Sequence, residues 1–165
     1  MPEPVHGRQL YCIQVTEGLR TVLVGFVALG AGLTWQSLRT AGIPVSSPER
    51  LIAELRLAQV AALMLTLSAG AYLGLAVVHE SVPGVGFDVA IAIGFFVVAA
   101  ATLVRDPRQA LTILALAFAA HAVLDMAHGG WLLPDGIAPR WYSLGCAVYD
   151  VYIGALCYVP LLRRT

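Results

Sequence analysis

Charged residues are scarce in this chain, and lysine is missing altogether. Only 12% of the 165 residues are charged, about half the fraction of a typical soluble domain, whereas 59% are hydrophobic. This composition argues against a soluble protein and predicts an all-α, polytopic membrane protein with one domain over residues 1–165. The formal net charge is zero, so a nucleic-acid partner is not expected.

Cysteines and recognised catalytic motifs are also sparse. Cys12, Cys146 and Cys157 lie far apart and form no C-x-x-C pair, so no disulfide framework is expected. The motifs H-E-x-x-H and G-x-S-x-G are absent, and four histidines are too few for the multi-histidine sites of membrane desaturases. The first 20 residues are mixed and polar, so no signal peptide is predicted. Whether the protein is an enzyme stays open.

Long apolar segments are what the chain does contain, and five are long enough, or nearly so, to cross a hydrocarbon core of about 30 Å. Proline, glycine or charge interrupts the chain between them. Ser47 and Pro48 predict the start of a helix, with serine at N-cap and proline at N1. Glu54 is expected to form a surface pair with a nearby arginine, and Asp88 to lie at the start of a helix. The predicted spans are 21–38, 57–78, 87–104, 109–128 and 141–162.

The distribution of arginine predicts the orientation. With five spans, seven arginines fall on the side of the C-terminus and three on the other side. The arginine-rich side is normally cytoplasmic, so the C-terminus is predicted inside. The other end would carry His79, Glu80 and Asp135, with Trp131, Trp141 and Tyr142 as aromatic anchors. The seven are Arg39, Arg50, Arg56, Arg105, Arg108, Arg163 and Arg164, and the three are Arg8, Arg20 and Arg140.

Ionisable residues inside two of these spans predict a buried polar site. His121, Asp125 and His128 are spaced i, i+4 and i+7, so they share an arc of about 60° on one helix. Cys146 and Asp150 share a face of the next helix in the same way. Such groups cost a few kcal/mol each at membrane depth, unless they satisfy one another or bind something. The predicted orientation places this site in the extracytoplasmic half.

Three interpretations of that site remain open. The set His121, Asp125, His128, Cys146 and Asp150 suits zinc, iron or manganese, and Asp150 is alternatively an acceptor that orients a ligating histidine. In an enzyme acting on a lipid-soluble substrate, His121 or His128 would be general base, oriented by Asp125 and Asp150. The alternatives are a proton relay or transporter component, and an accessory subunit whose polar pairs only fix helix packing.

Small residues on two helix faces suggest close packing. Gly70 and Gly74 form a G-x-x-x-G pair, and Ala28 and Gly32 a similar one. These faces are candidates for contacts within the bundle or between copies in the lipid bilayer.

The paired motif resembles a bacterial family. The pattern H-x-x-x-D-x-x-H, a proline-containing loop and S-x-G-C-A-x-x-D is similar to one in small bacterial integral membrane proteins that carry a domain of unknown function. The resemblance covers about 30 residues, and this chain has Leu124 and Gly129 where the family has an aromatic residue and a second histidine. It implies that the two motifs form a unit in a bacterial inner membrane, without an assigned activity. The matching residues are His121, Asp125, His128, Pro134, Ser143, Gly145, Cys146, Ala147 and Asp150.

Overall fold

The computed structural model describes residues 5–78, 84–130 and 140–162, with the backbone alone for 5–19, 21, 22, 129 and 130. Predictions that concern His79, Glu80, Trp131, Pro134 and Asp135 lie outside the described residues, as do those on the side chains of Arg8 and Cys12.

Five α-helices account for nearly all of the described chain, which contains no strand, so the all-α prediction is confirmed. Four of them, α2 to α5, are long and apolar enough to cross a membrane. Helices α3, α4 and α5 begin and end within about two residues of the apolar segments. Helices α1 and α2 extend further, because polar turns continue the helix beyond the apolar stretch. The bounds are α1 Val5–Gly42, α2 Pro48–Val78, α3 Val85–Thr102, α4 Pro107–Gly130 and α5 Arg140–Leu162.

Local side-chain and backbone chemistry starts three of the helices. Ser47 Oγ accepts a hydrogen bond from the Glu49 N–H at 3.3 Å, and α2 begins at Pro48 as the sequence predicts. Gly84 precedes α3 with a φ of 98°, a backbone conformation that favours glycine. Asp106 Oδ1 accepts from the Arg108 N–H at 3.0 Å and caps the first turn of α4.

Helix α4 occupies the middle of the bundle, where it packs against α5, α2 and α3, while α1 covers α5 and α2. Gly154 marks the closest approach of α4 and α5, because a Cβ there would lie 3.2 Å from the Ala115 carbonyl oxygen. The predicted close packing at Gly74 and Gly32 is wrong within the described bundle, since a Cβ at either position would meet nothing within 4 Å. Contacts between copies through these faces remain a prediction.

A proline inside α5 is compensated by a serine from α1. Pro160 has no N–H, so the Leu156 carbonyl one turn earlier loses its helical donor. Ser37 Oγ donates to that carbonyl at 2.6 Å, and Ser37 is fully buried. This bond replaces the missing helical one and fixes α1 against the end of α5.

A charged cluster closes the same end of the bundle. Glu54, expected at the surface, is instead only 2% exposed, because Arg50 contacts it at 2.7 Å and Arg108 at 3.3 Å. Arg50 also donates to the carbonyls of Ile43 at 2.8 Å, Pro160 at 2.6 Å, and Thr40. The surface expectation was wrong because pairing with two arginines from different helices makes burial of the carboxylate tolerable.

An apolar layer separates this charged end from the opposite end. Along α4, Arg108 and His121 are about 20 Å apart at 1.5 Å per residue. The buried side chains between them come from α2, α4 and α5 and are apolar, namely Leu57, Ala61, Leu65, Leu111, Leu114, Phe118 and Ile153.

Candidate functional site

Three ionisable side chains meet at the interface of α4 and α5, on the far side of the apolar layer. His121 Nδ1 lies 2.6 Å from Asp150 Oδ2 and 3.5 Å from Asp125 Oδ2. His121 is 4% exposed, and the two aspartates are each 1% exposed. One ligand atom from each of the three residues can be chosen so that all lie within 4.8 Å of one another. The predicted proximity of these three residues is therefore confirmed, whereas their role stays a prediction.

Asp125 accepts a hydrogen bond through only one of its oxygens among the described residues, although the other oxygen lies 3.5 Å from His121 Nδ1. Tyr72, on α2, donates its hydroxyl proton to Asp125 Oδ1, and both residues are buried. The other oxygen, Oδ2, has no hydrogen-bond partner among the described residues. A buried polar atom without a partner costs about 1–3 kcal/mol, and more if it is charged. An additional proton or cation near Oδ2 would therefore be stabilising.

A second histidine–aspartate pair lies next to the first. His128 Nε2 is 2.7 Å from Asp88 Oδ1, and His128 Nδ1 is 2.8 Å from the Leu124 carbonyl oxygen. A carbonyl only accepts, so Nδ1 carries a proton and the Nε2–Asp88 contact holds one further proton. Asp88 does lie in the first turn of α3, as expected, and it also pairs with α4.

His121, Asp125, His128 and Asp88 border one small cavity between α2, α3 and α4, and Asp150 lies outside its lining. The space open to the centre of a water molecule is about 10 Å³, which is room for about one water. The Tyr72 ring lies between the two histidines, with its centroid 5.7 Å from that of His121 and 5.6 Å from that of His128. The Phe95 ring contacts His121 edge-on at 4.7 Å. The lining is Ala69, Tyr72, Asp88, Ile91, Ala92, Phe95, His121, Leu124, Asp125 and His128.

Two predicted site residues lie outside the three-residue group. His128 faces the same cavity but pairs with Asp88, and Cys146 is a half-buried free thiol on α5. Within the described part of the chain, His121, Asp125 and Asp150 form the one group of three potential ligands. Ligation by His128 or Cys146 stays a prediction. Trp141 is 61% exposed near the start of α5, in keeping with an interfacial anchor.

Sequence reasoning did not assign Tyr72 or the pairing of Asp88 to this site. Tyr72 is 53 residues from Asp125 in the chain, and Asp88 is 40 residues from His128. The available signal was weak: a tyrosine within an otherwise apolar span, and an aspartate directly after a Pro/Gly turn.

No protein-family model, curated protein or solved structure matches this chain. The family resemblance of the paired motif therefore stays a prediction.

Proposed function

We propose that this protein is a multi-pass protein of the bacterial inner membrane that binds one divalent transition metal through His121, Asp125 and Asp150. The single observation that carries the proposal is the buried, unpartnered Oδ2 of Asp125, 3.5 Å from the imidazole of a histidine that also contacts a second carboxylate. One nitrogen and two carboxylate ligands suit zinc, iron or manganese.

Charge balance favours a divalent ion. Two ionised aspartates and a neutral histidine carry a charge of −2, which is very costly in a low-dielectric interior. Two bound protons or one divalent cation bring the site to neutrality. The protein would accordingly exchange protons for metal, so metal affinity rises as the proton concentration falls.

The ligand atoms, which lie within 4.8 Å of one another, would have to rearrange to accept an ion. Ligand atoms about 2.1 Å from a tetrahedral metal lie about 3.4 Å from one another. If both atoms ligate, the distance between His121 Nδ1 and Asp150 Oδ2 would increase from 2.6 Å by about 0.8 Å. The distance between His121 Nδ1 and Asp125 Oδ2, 3.5 Å, already matches the separation of two ligands of one metal. The metal and the shared proton thus compete for the same place.

The cavity leaves a position for a water on such a metal. Catalytic zinc sites have three protein ligands and an open fourth position for water, and the space here holds about one water. A metal-activated water at the extracytoplasmic half is the chemistry that these residues favour. Action on a lipid-soluble substrate stays a further prediction, because the cavity is too small for such a molecule without helix displacement.

The second candidate function is a proton relay, and it is favoured by the two adjacent proton-sharing pairs. His121, which contacts Asp150, and the His128–Asp88 pair border one water-sized cavity, and the Tyr72 ring lies next to both histidines. The apolar layer beneath the site supports a relay that exchanges protons with one side only. The arginine distribution supports the extracytoplasmic side, with the C-terminus in the cytoplasm.

Metal analysis of the purified protein distinguishes the two functions. We expect wild-type protein, prepared without chelator, to hold nearly one equivalent of zinc, iron or manganese, and added metal to raise its melting temperature. His121→Ala and Asp125→Asn should lose the metal. Asp88→Asn is the matched control, since it makes the same chemical change at the neighbouring pair. If wild-type protein contains no metal and added metal does not change its melting temperature, the metal site is excluded and the proton relay becomes the favoured function.

A further inference from the structure

A second cavity opens at the charged end of the bundle, remote from the His/Asp site. It lies between the end of α1 and the beginning of α2, and the space open to water centres is about 320 Å³. Small-molecule sites in proteins typically occupy about 300–1,000 Å³. Its walls combine aromatic, aliphatic, amide and charged side chains, chiefly Trp35, Gln36, Arg39, Glu49, Ile52 and Arg56.

Two arginines of this groove lie where hydrocarbon gives way to headgroups. Arg39 directly follows the apolar segment 21–38, and Arg56 directly precedes the segment 57–78. Arginine side chains at such positions extend their guanidinium groups to the interface. Trp35 is 64% exposed one turn earlier, and its ring centroid is 5.3 Å from the Arg39 guanidinium carbon. This cation–π contact orients Arg39 beside the groove.

The charge of the groove is incompletely balanced. Arg50 and Arg108, at the same end, pair with Glu54, whereas within the described chain no carboxylate forms an ion pair with Arg39 or Arg56. The other charged wall residue is Glu49, so the groove carries a net charge of +1. One monoanionic phosphodiester would neutralise it.

We propose that this groove binds the headgroup phosphate of an anionic phospholipid. Arg39 and Arg56 would donate to the phosphate oxygens, which guanidinium groups recognise in a planar, two-pronged geometry. The acyl chains would lie on the apolar surface next to the groove, where Leu38 is 58% and Leu55 is 37% exposed. Basic pockets between membrane helices hold anionic headgroups in this manner.

Competition between lipids tests the proposal on the unmodified protein. The detergent-solubilised full chain is titrated with dioleoyl phosphatidylglycerol or dioleoyl phosphatidylcholine, and retained lipid is counted by native mass spectrometry. We expect one phosphatidylglycerol to be retained in preference to phosphatidylcholine. Equal retention of the two lipids would overturn the proposal. Displacement of the lipid by an equal concentration of inorganic phosphate would also overturn it, because the site would then be one for free phosphate.

Matched variants locate the lipid. A basic residue near an anionic headgroup changes affinity by about fivefold, so Arg39→Gln and Arg56→Gln should each weaken binding about fivefold, and the double variant about 25-fold. Arg105→Gln is the control, because Arg105 is an exposed arginine at the same end that does not line the groove. Equal weakening in the control would show general charge attraction and refute the site. If the double variant does not fold, the single variants decide.

Discussion

The hydroxyl of Tyr72 offers the sharpest test of the His/Asp site. Tyr72→Phe removes the donor to Asp125 Oδ1 and keeps the ring that contacts both histidines. A hydrogen bond to a charged group contributes about 1.5–3 kcal/mol, and one between neutral groups about 0.5–1.5 kcal/mol. Because Asp125 Oδ2 already lacks a partner, the variant leaves a buried carboxylate without a direct hydrogen bond. We expect a loss near the upper end of the charged range.

A double-mutant cycle measures this coupling. The unfolding free energy is compared for wild type, Tyr72→Phe, Asp125→Asn and the double variant, by titrating mild detergent micelles with a denaturing detergent. In the Asp125→Asn background the hydroxyl faces a neutral amide, so its removal should cost about 2 kcal/mol less. Metal affinity is the second readout: removing a hydrogen-bond partner of a ligand typically weakens binding 10–100-fold.

Tyr149→Phe is the control for this cycle. Tyr149 donates its hydroxyl proton to the Phe26 carbonyl at 3.0 Å, in the contact between α1 and α5. Tyr149→Phe should lose one hydrogen bond between neutral groups, at a cost of about 0.5–1.5 kcal/mol, and should keep wild-type metal affinity. Two results together would refute the assigned role of Tyr72. The loss of unfolding free energy caused by Tyr72→Phe would be the same with aspartate and with asparagine at position 125, and the metal affinity would be unchanged.

Three further outcomes are expected. Ser37→Ala should cost about 1–3 kcal/mol in unfolding free energy, because the Leu156 carbonyl loses its donor, and Pro160→Ala should rescue much of it by restoring the helical N–H. Arg50→Met should cost at least about 3–5 kcal/mol in unfolding free energy, because buried Glu54 keeps only the half-exposed Arg108 and the carbonyls of Thr40, Ile43 and Pro160 lose a donor. Adding Glu54→Leu should recover the part of the loss that is due to the stranded carboxylate, and a double variant no more stable than Arg50→Met would contradict this. Of two reporters fused to the C-terminus, the one that is active only in the cytoplasm should give a signal. Activity of the one that works only in the periplasm would show that the predicted orientation is wrong.

Local chemistry made the helices and their breaks predictable. Pro48 begins α2, Pro107 begins α4 directly after Asp106, and α4 ends at Gly130. The spacing of His121 and Asp125 put both residues on one face of α4. Because the two spans are close in sequence, α5 was expected to pack against α4 with Asp150 near that face. The grouping of His121, Asp125 and Asp150 on two consecutive helices was therefore accessible from sequence, whereas the pairing of His128 with Asp88 on α3 was not.

Contacts between more distant helices were not accessible, for a physical reason. In a membrane, lipid-facing side chains are as apolar as those of the interior, so hydrophobic pattern does not reveal which face of a span points inward. Helix α3 illustrates this, with exposed Ile93 and Val97 as apolar as buried Ala92 and Phe95. Without that information, the contact between Tyr72 and Asp125 could not be predicted from the sequence.

The guanidinium of Arg50 also bears on how the bundle is completed during synthesis. Its partners Thr40, Ile43 and Glu54 are within ten residues of it, and they become available as soon as α1 and α2 form. The carbonyl of Pro160 emerges 110 residues later, in the last turn of the final helix. Until then one arm of the guanidinium lacks this acceptor at the edge of the hydrocarbon. A chain that stops before α5 therefore differs from one that includes α5 in that the Arg50 guanidinium lacks one of its carbonyl acceptors.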